Sequence, residues 1–110
     1  MTFEQGLKYV KSYVCANPDD RDVFNNTIEP ELDQTNYLLT NLGFTFLHSV
    51  IGSNYVFYWV LNFNTKGQAV MIEATVDYDL TDIKYLAWFR HRPETLSANN
   101  IEDLLHELGV

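Results

Sequence analysis

At Gly43 the hydrophobic pattern changes its period, and that change limits what the chain can fold into more than any other feature. Before Gly43, apolar residues recur every three or four positions, the spacing of a helix face. After it they alternate, the spacing of a strand face. Strands that follow one another through short turns pair antiparallel, because a parallel pair needs a long crossover. Helices grouped before and after the strands then give an α+β layer fold. The 110 residues form one domain, residues 1–110, with no internal repeat, low-complexity tract or Gly/Ser linker.

The elements follow from local signals. Thr2 and Gln5 fit a capping box, so a first helix is predicted from Thr2 to Cys15, with Phe3, Leu7, Val10 and Val14 on one face and Tyr9 and Tyr13 beside it. Asn17-Pro18 ends it, since the residue before proline avoids the helical region. Asp19 to Thr27 reads as a loop or one short helical turn carrying Val23 and Phe24. A second helix is expected from Pro30 to Leu42, burying Leu38, Leu39 and Leu42 with Tyr37, and Gly43 closes it.

Four strands are expected next. In the first, Phe44, Phe46, His48 and Val50 share a face. After the Gly52-Ser53-Asn54 turn comes Tyr55 to Phe63, and after Thr65-Lys66-Gly67 comes Gln68 to Tyr78, with Val70, Ile72, Ala74 and Val76 on one side. An acidic turn, Asp79 to Asp82, leads to Ile83–Arg90, which Arg92-Pro93 stops. A last helix is predicted from Asn99 to Leu108, with Asn99 and Glu102 as its capping box and Gly109 past its end. The expected architecture is thus two N-terminal helices, a four-stranded antiparallel meander and a C-terminal helix, α-α-β-β-β-β-α.

The strand Tyr55 to Phe63 is apolar on both sides: Tyr55, Phe57 and Trp59 point one way, Val56, Tyr58 and Val60 the other. A sheet with one wet face alternates more cleanly. The second face is therefore expected to be covered by the C-terminal helix, by a long loop, or by another subunit in a homodimer.

Composition excludes several functions. No apolar run reaches the ~18 to 20 residues that a membrane span needs. The start Met1-Thr2-Phe3-Glu4-Gln5 has neither a basic nor an apolar leader region, and the single Cys15 closes no intramolecular disulfide. A cytoplasmic setting is the expectation. Fifteen acids against seven Lys and Arg give a net charge of −8, which disfavours nucleic acid and anionic membrane and is compatible with a basic protein partner and equally with solubility alone.

The acids concentrate between Asp19 and Asp33, where Asp19, Asp20, Asp22, Glu29, Glu31 and Asp33 meet only Arg21. Clustered carboxylates steer a basic partner, and Phe24 or an exposed sheet aromatic offers an apolar anchor. The opposing view is a solvated loop and helix start, where acids suit the dipole. A second acidic group, Glu73, Asp77, Asp79 and Asp82, lacks the glycine and closing glutamate of a calcium loop. His48, His91 and His106 have no metal-ligand spacing. Arg90-His91-Arg92 is the basic cluster, weighed as an anion holder against pairing with nearby acids. Cys15 lies at a helix C-terminus, which raises a thiol pKa. No cofactor, metal or catalytic motif is assigned.

The preferred function is a small, non-enzymatic, acidic protein-binding module, an inhibitor or immunity-type protein by analogy of size and charge, docking on a basic partner. One alternative is a small-ligand binder or enzyme with an aromatic-lined pocket on the sheet, using Phe57, Trp59 and Trp88 with Glu73 or His48 as the polar group. Another is a dimeric domain of unassigned function.

Overall fold

A computed structural model describes residues 1–63, 68–90 and 93–109, with backbone only at 62, 63 and 68. Its helices are α1 (Phe3–Val14), α2 (Pro18–Val23), α3 (Glu29–Asn41) and α4 (Ile101–Leu108). Its strands are β1 (Thr45–Ile51), β2 (Tyr55–Phe63), β3 (Gln68–Val76), β4 (Ile83–Phe89) and β5 (Thr95–Ala98). The five strands form one antiparallel meander in the order β1-β2-β3-β4-β5. The α+β class stands.

The first helix forms as its sequence dictates. Thr2 Oγ1 accepts from the Gln5 N–H at 3.1 Å, and Gln5 Oε1 accepts from the Thr2 N–H at 2.8 Å. Two otherwise unpaired helix-start donors are thereby satisfied. Phe3, Leu7, Val10 and Val14 are buried, and the helix lies close on β1 because Gly6 has no side chain. A Cβ there would sit 2.7 Å from Phe46 Cζ. Ser49 Oγ donates to the Gly6 carbonyl at 2.8 Å in a buried hydrogen bond, which locks helix to strand.

The stretch Asp19 to Thr27, expected as a loop or one short helical turn, is helical throughout. Asn17 caps α2 by accepting from the Asp19 N–H, and Pro18 occupies the first turn, where its missing N–H costs nothing. So Asn17-Pro18 both ends one helix and starts the next. Between α2 and α3 the backbone makes a π-helical turn, Phe24–Ile28, with the Glu29 N–H reaching back to the Phe24 carbonyl. Pro30 explains it: proline cannot supply the regular helical hydrogen bond, and its ring crowds the turn before it. One wide turn absorbs the misfit, and the helical path continues from Pro18 to Asn41. Three helical segments thus precede the sheet where two were expected.

The face of α3 also differs from expectation. Leu32, Thr35 and Leu39 are buried and Leu38 is half-buried, whereas Tyr37 and Leu42 are exposed, Tyr37 by 63 %. Gly43, at φ +95°, ends the helix as predicted.

In the sheet, Tyr55, Phe57 and Trp59 from β2, Val70, Ile72, Ala74 and Val76 from β3, and Ile83, Tyr85 and Ala87 from β4 are buried. They meet α1, α3 and α4 in one core. The β1 alternation is broken. Phe46 pairs with Trp59 but His48 pairs with Tyr58, so Leu47 is an extra residue in a bulge. One extra residue reverses the phase. Phe46 and Ser49 face the helices, and His48 and Val50 face the other way, so His48 does not share a face with Phe44 and Phe46.

The fifth strand was missed. Pro93 stops β4 but does not bar a strand beyond it, because an edge strand tolerates proline at its start. Thr95–Ala98 then pairs with β4, Tyr85 opposite Ala98 and Trp88 opposite Thr95. The last helix starts one residue late: Asn100 is its cap, accepting from the Asp103 N–H, and Gly109 closes it at φ +78°. The Thr65-Lys66-Gly67 turn lies outside the described residues.

Candidate functional site

Two regions of this fold carry exposed chemistry, and they lie on opposite sides of the sheet. The first is the helical layer. Trp59 Nε1 donates to Asn36 Oδ1 at 3.0 Å, and the Tyr85 hydroxyl lies 2.8 Å from Thr35 Oγ1. Tyr85 donates to Glu31 Oε2 at 3.2 Å, leaving Thr35 as the donor to Tyr85. These bonds fix α3 over β2 and β4. Burial pushes the Glu31 carboxyl above the usual range; the Tyr85 bond opposes this, and Asp82 and Glu102 add to it. Burial also raises Tyr85, and, with Glu29 nearby, raises Asp33.

The six acids of the Asp19–Asp33 stretch separate into two groups. Glu29 accepts from Lys11 Nζ through both oxygens at 3.1 Å, and Glu31 is held by Tyr85. Asp19, Asp20 and Asp22 stand on α2, a helix that buries none of its side chains, and they make no ion pair among the described residues. Asp33 is exposed. Phe24 is fully buried, so it cannot anchor a partner, which corrects that assignment. Exposed apolar surface nearby comes instead from Val23 and from Tyr13, which meets Tyr55, itself against Tyr78 with ring centres 4.7 Å apart. A groove of about 500 Å³ runs along α1, between Leu7, Lys8, Lys11, Cys15 and Glu29.

The second region is the sheet face turned away from the helices. The β2–β3–β4 register places its side chains in rows: Val60–Met71–Trp88, then Tyr58–Glu73–Leu86, then Val56–Thr75–Lys84. All but the exposed Lys84 are half-buried. Trp88 Nε1 donates to Glu73 Oε1 at 2.9 Å, and the His48 ring meets Tyr58 at 5.1 Å. Burial raises the Tyr58 hydroxyl pKa, and Glu73 adds to it. A cleft of about 180 Å³ opens between Val60, Ala69, Met71, Trp88 and Arg90. Among the described residues no helix or loop covers this face: α4 sits on the helical side, with Glu102 close enough to act on Glu31 and Tyr85.

The five residues expected to line one pocket are therefore divided by the sheet. Phe57 and Trp59 are fully buried in the core, and His48, Glu73 and Trp88 lie on the other face. No enclosed aromatic pocket unites them. Sequence reading missed Met71 and Leu86 as site residues. The signal was present, because both alternate with buried neighbours, but only the strand register shows that Met71 lies beside Trp88 and that Leu86 shares a row with Glu73 and Tyr58.

Other candidates resolve simply. Asp77 accepts from Thr81 through both its N–H and its hydroxyl, which holds its carboxyl below the usual range and builds a turn. Of the basic cluster, Arg90 is exposed, and His91 and Arg92 lie outside the described residues. Among the described residues no group of three His, Cys, Asp or Glu side chains is placed to hold a metal. No described helix is long and apolar enough to cross a membrane. Comparison with protein-family models, with curated proteins and with solved structures finds no match to this chain.

Proposed function

We propose that this chain is a non-enzymatic binding module that docks a basic protein on its helical side. The observation that supports this reading is α2: a capped helix that buries nothing yet presents Asp19, Asp20 and Asp22 without a cation partner among the described residues. A segment that adds nothing to the core is free to serve a surface. Uncompensated carboxylates raise the encounter rate of a cationic partner, and exposed tyrosines are favoured interface anchors. Tyr13, 58 % exposed on the neighbouring helix, takes the anchoring role that Phe24 cannot.

The test is capture on the immobilised chain at low and high salt, with the captured protein identified by mass spectrometry. A basic protein is expected, bound at low salt and released at high salt. The triple variant Asp19→Lys, Asp20→Lys, Asp22→Lys should lose it while keeping its thermal midpoint within a few degrees. Capture that survives both high salt and charge reversal overturns the electrostatic mechanism.

A further inference from the structure

The open sheet face has a chemistry unlike the rest of the surface, and we propose that its occupant is the same face of a second copy of this chain. Three observations carry this. The first is composition. Val56, Tyr58, Val60, Met71, Leu86 and Trp88 form an apolar field around Glu73 across the three central strands, each half-buried and none covered among the described residues. An apolar patch of this kind is often an interaction site.

The second is size. Strands stand ~4.8 Å apart and rise ~3.4 Å per residue, so the whole five-stranded face, with the apolar field at its centre and a polar rim around it, spans roughly 19 by 30 Å, or roughly 550 Å² per copy. Two copies bury about 1,100 Å², just above the ~1,000 Å² that a specific interface requires. That is enough for a reversible dimer and too little for an obligate one.

The third is the distribution of charge. A chain at −8 repels its own copies unless they meet where the acids are few. Within this face Glu73 is the one acid among the central rows, with Lys84 and Arg90 on the same side and Asp77 and Asp82 at one rim. The α2 and α3 acids lie beyond the helices on the far side. Sheets packed face to face lie ~10 Å apart, and each helix layer adds ~10 Å. The two acidic surfaces are then about 30 Å or more apart, several times the ~8 Å Debye length at physiological salt. A basic partner would choose the helical side; a second acidic copy would choose this one.

Sedimentation velocity over a concentration series from about 1 µM to about 1 mM tests the proposal. The mass should rise from 12.8 kDa toward twice that value. Trp88 emission should shift to the blue in step, while the already buried Trp59 adds a constant background. Met71→Glu should stay monomeric throughout, and Met71→Leu should dimerise like the parent chain. If Met71→Glu fails to fold, Leu86→Lys makes the same test from the neighbouring row. Salt should leave this association intact, in contrast to capture of a basic partner. A single 12.8 kDa species at every concentration overturns the proposal, as does a dimer that survives both charged substitutions.

Discussion

The two faces of the sheet carry one tryptophan each, in adjoining rows on β2 and β4 with β3 between them, and the two rings live under different physics. Trp59 on β2 is fully buried against Phe3 and Phe46, with its indole N–H bound to Asn36. Trp88 on β4 is half-buried on the open face, with its N–H bound to Glu73. Both donors are satisfied, so hydrogen bonding does not separate them. What differs is how much surrounding structure would collapse or stay empty if the ring were removed. The covered face is where folding free energy resides, and the open face is where an interaction can be gained or lost at little expense to the fold.

The largest expected effect follows directly. Trp59→Ala should destabilise by about 3–5 kcal/mol, since it removes a fully packed ring and strands Asn36. Trp88→Ala should cost only about 1 kcal/mol, because the site already opens to solvent. Urea titration of both variants checks the contrast. Equal losses would mean that the open face is part of the core.

Gly6→Ala is the next most severe. The new methyl would meet the Phe46 ring at 2.7 and 2.8 Å and Ser49 Oγ at 3.3 Å, so α1 and β1 must separate or Phe46 must turn. A loss of about 1–3 kcal/mol is expected, although alanine is the better helix former by ~1 kcal/mol. A rise in the melting temperature would show that the helix–strand contact is loose.

The contrast between the faces also marks how far the sequence could be read. Helix caps at Thr2, terminators at Gly43 and Gly109, and the alternation of β2, β3 and β4 were legible because each is a local preference written in adjacent residues. The His48 position was not, because a bulge at Leu47 is decided by fit against β2. Nor was β5, four residues whose identity as a strand comes from pairing with β4 rather than from its own composition. Pro30 reads locally as a start signal, whereas the helical path runs through it by way of a π-helical turn. The candidate sites followed the same division. The charge of α2 was readable residue by residue. The burial of Phe24, and the meeting of Met71 with Trp88, depend on contacts between segments distant in sequence.

Polar contacts beneath the helices give a smaller and more specific prediction. Tyr85→Phe leaves the fully buried Thr35 hydroxyl without its partner and should cost about 1–2 kcal/mol. Thr35→Val added to it should recover part of that loss, because a buried pair replaced by apolar groups of similar shape leaves nothing unsatisfied. A double-mutant cycle measures this, and strict additivity of the two losses would show that the pair is not coupled.

The smallest effect is a pH dependence, and its sign is fixed by Glu31. Burial holds its carboxyl above the usual 4.5 in the folded chain, so the native state binds the proton more tightly than the unfolded one. The stability this supplies is fully present below pH 4.5 and is lost as pH rises through the folded value. Asp77 acts in the opposite sense. Its carboxyl is held below 3.8 by Thr81, so its contribution is present above that value and disappears as pH falls through the lower folded one. The two windows do not overlap. Glu31→Gln should therefore flatten the decline in stability above pH 4.5 and leave the acid limb unchanged, and Asp77→Asn should do the reverse. Thermal midpoints of the parent and both variants between about pH 2.5 and 7 separate them. Both groups lie away from the central rows of the open face, so neither substitution should change the dimerisation of the chain. If Glu31→Gln does weaken association, the helical layer and not the bare sheet forms the contact between copies.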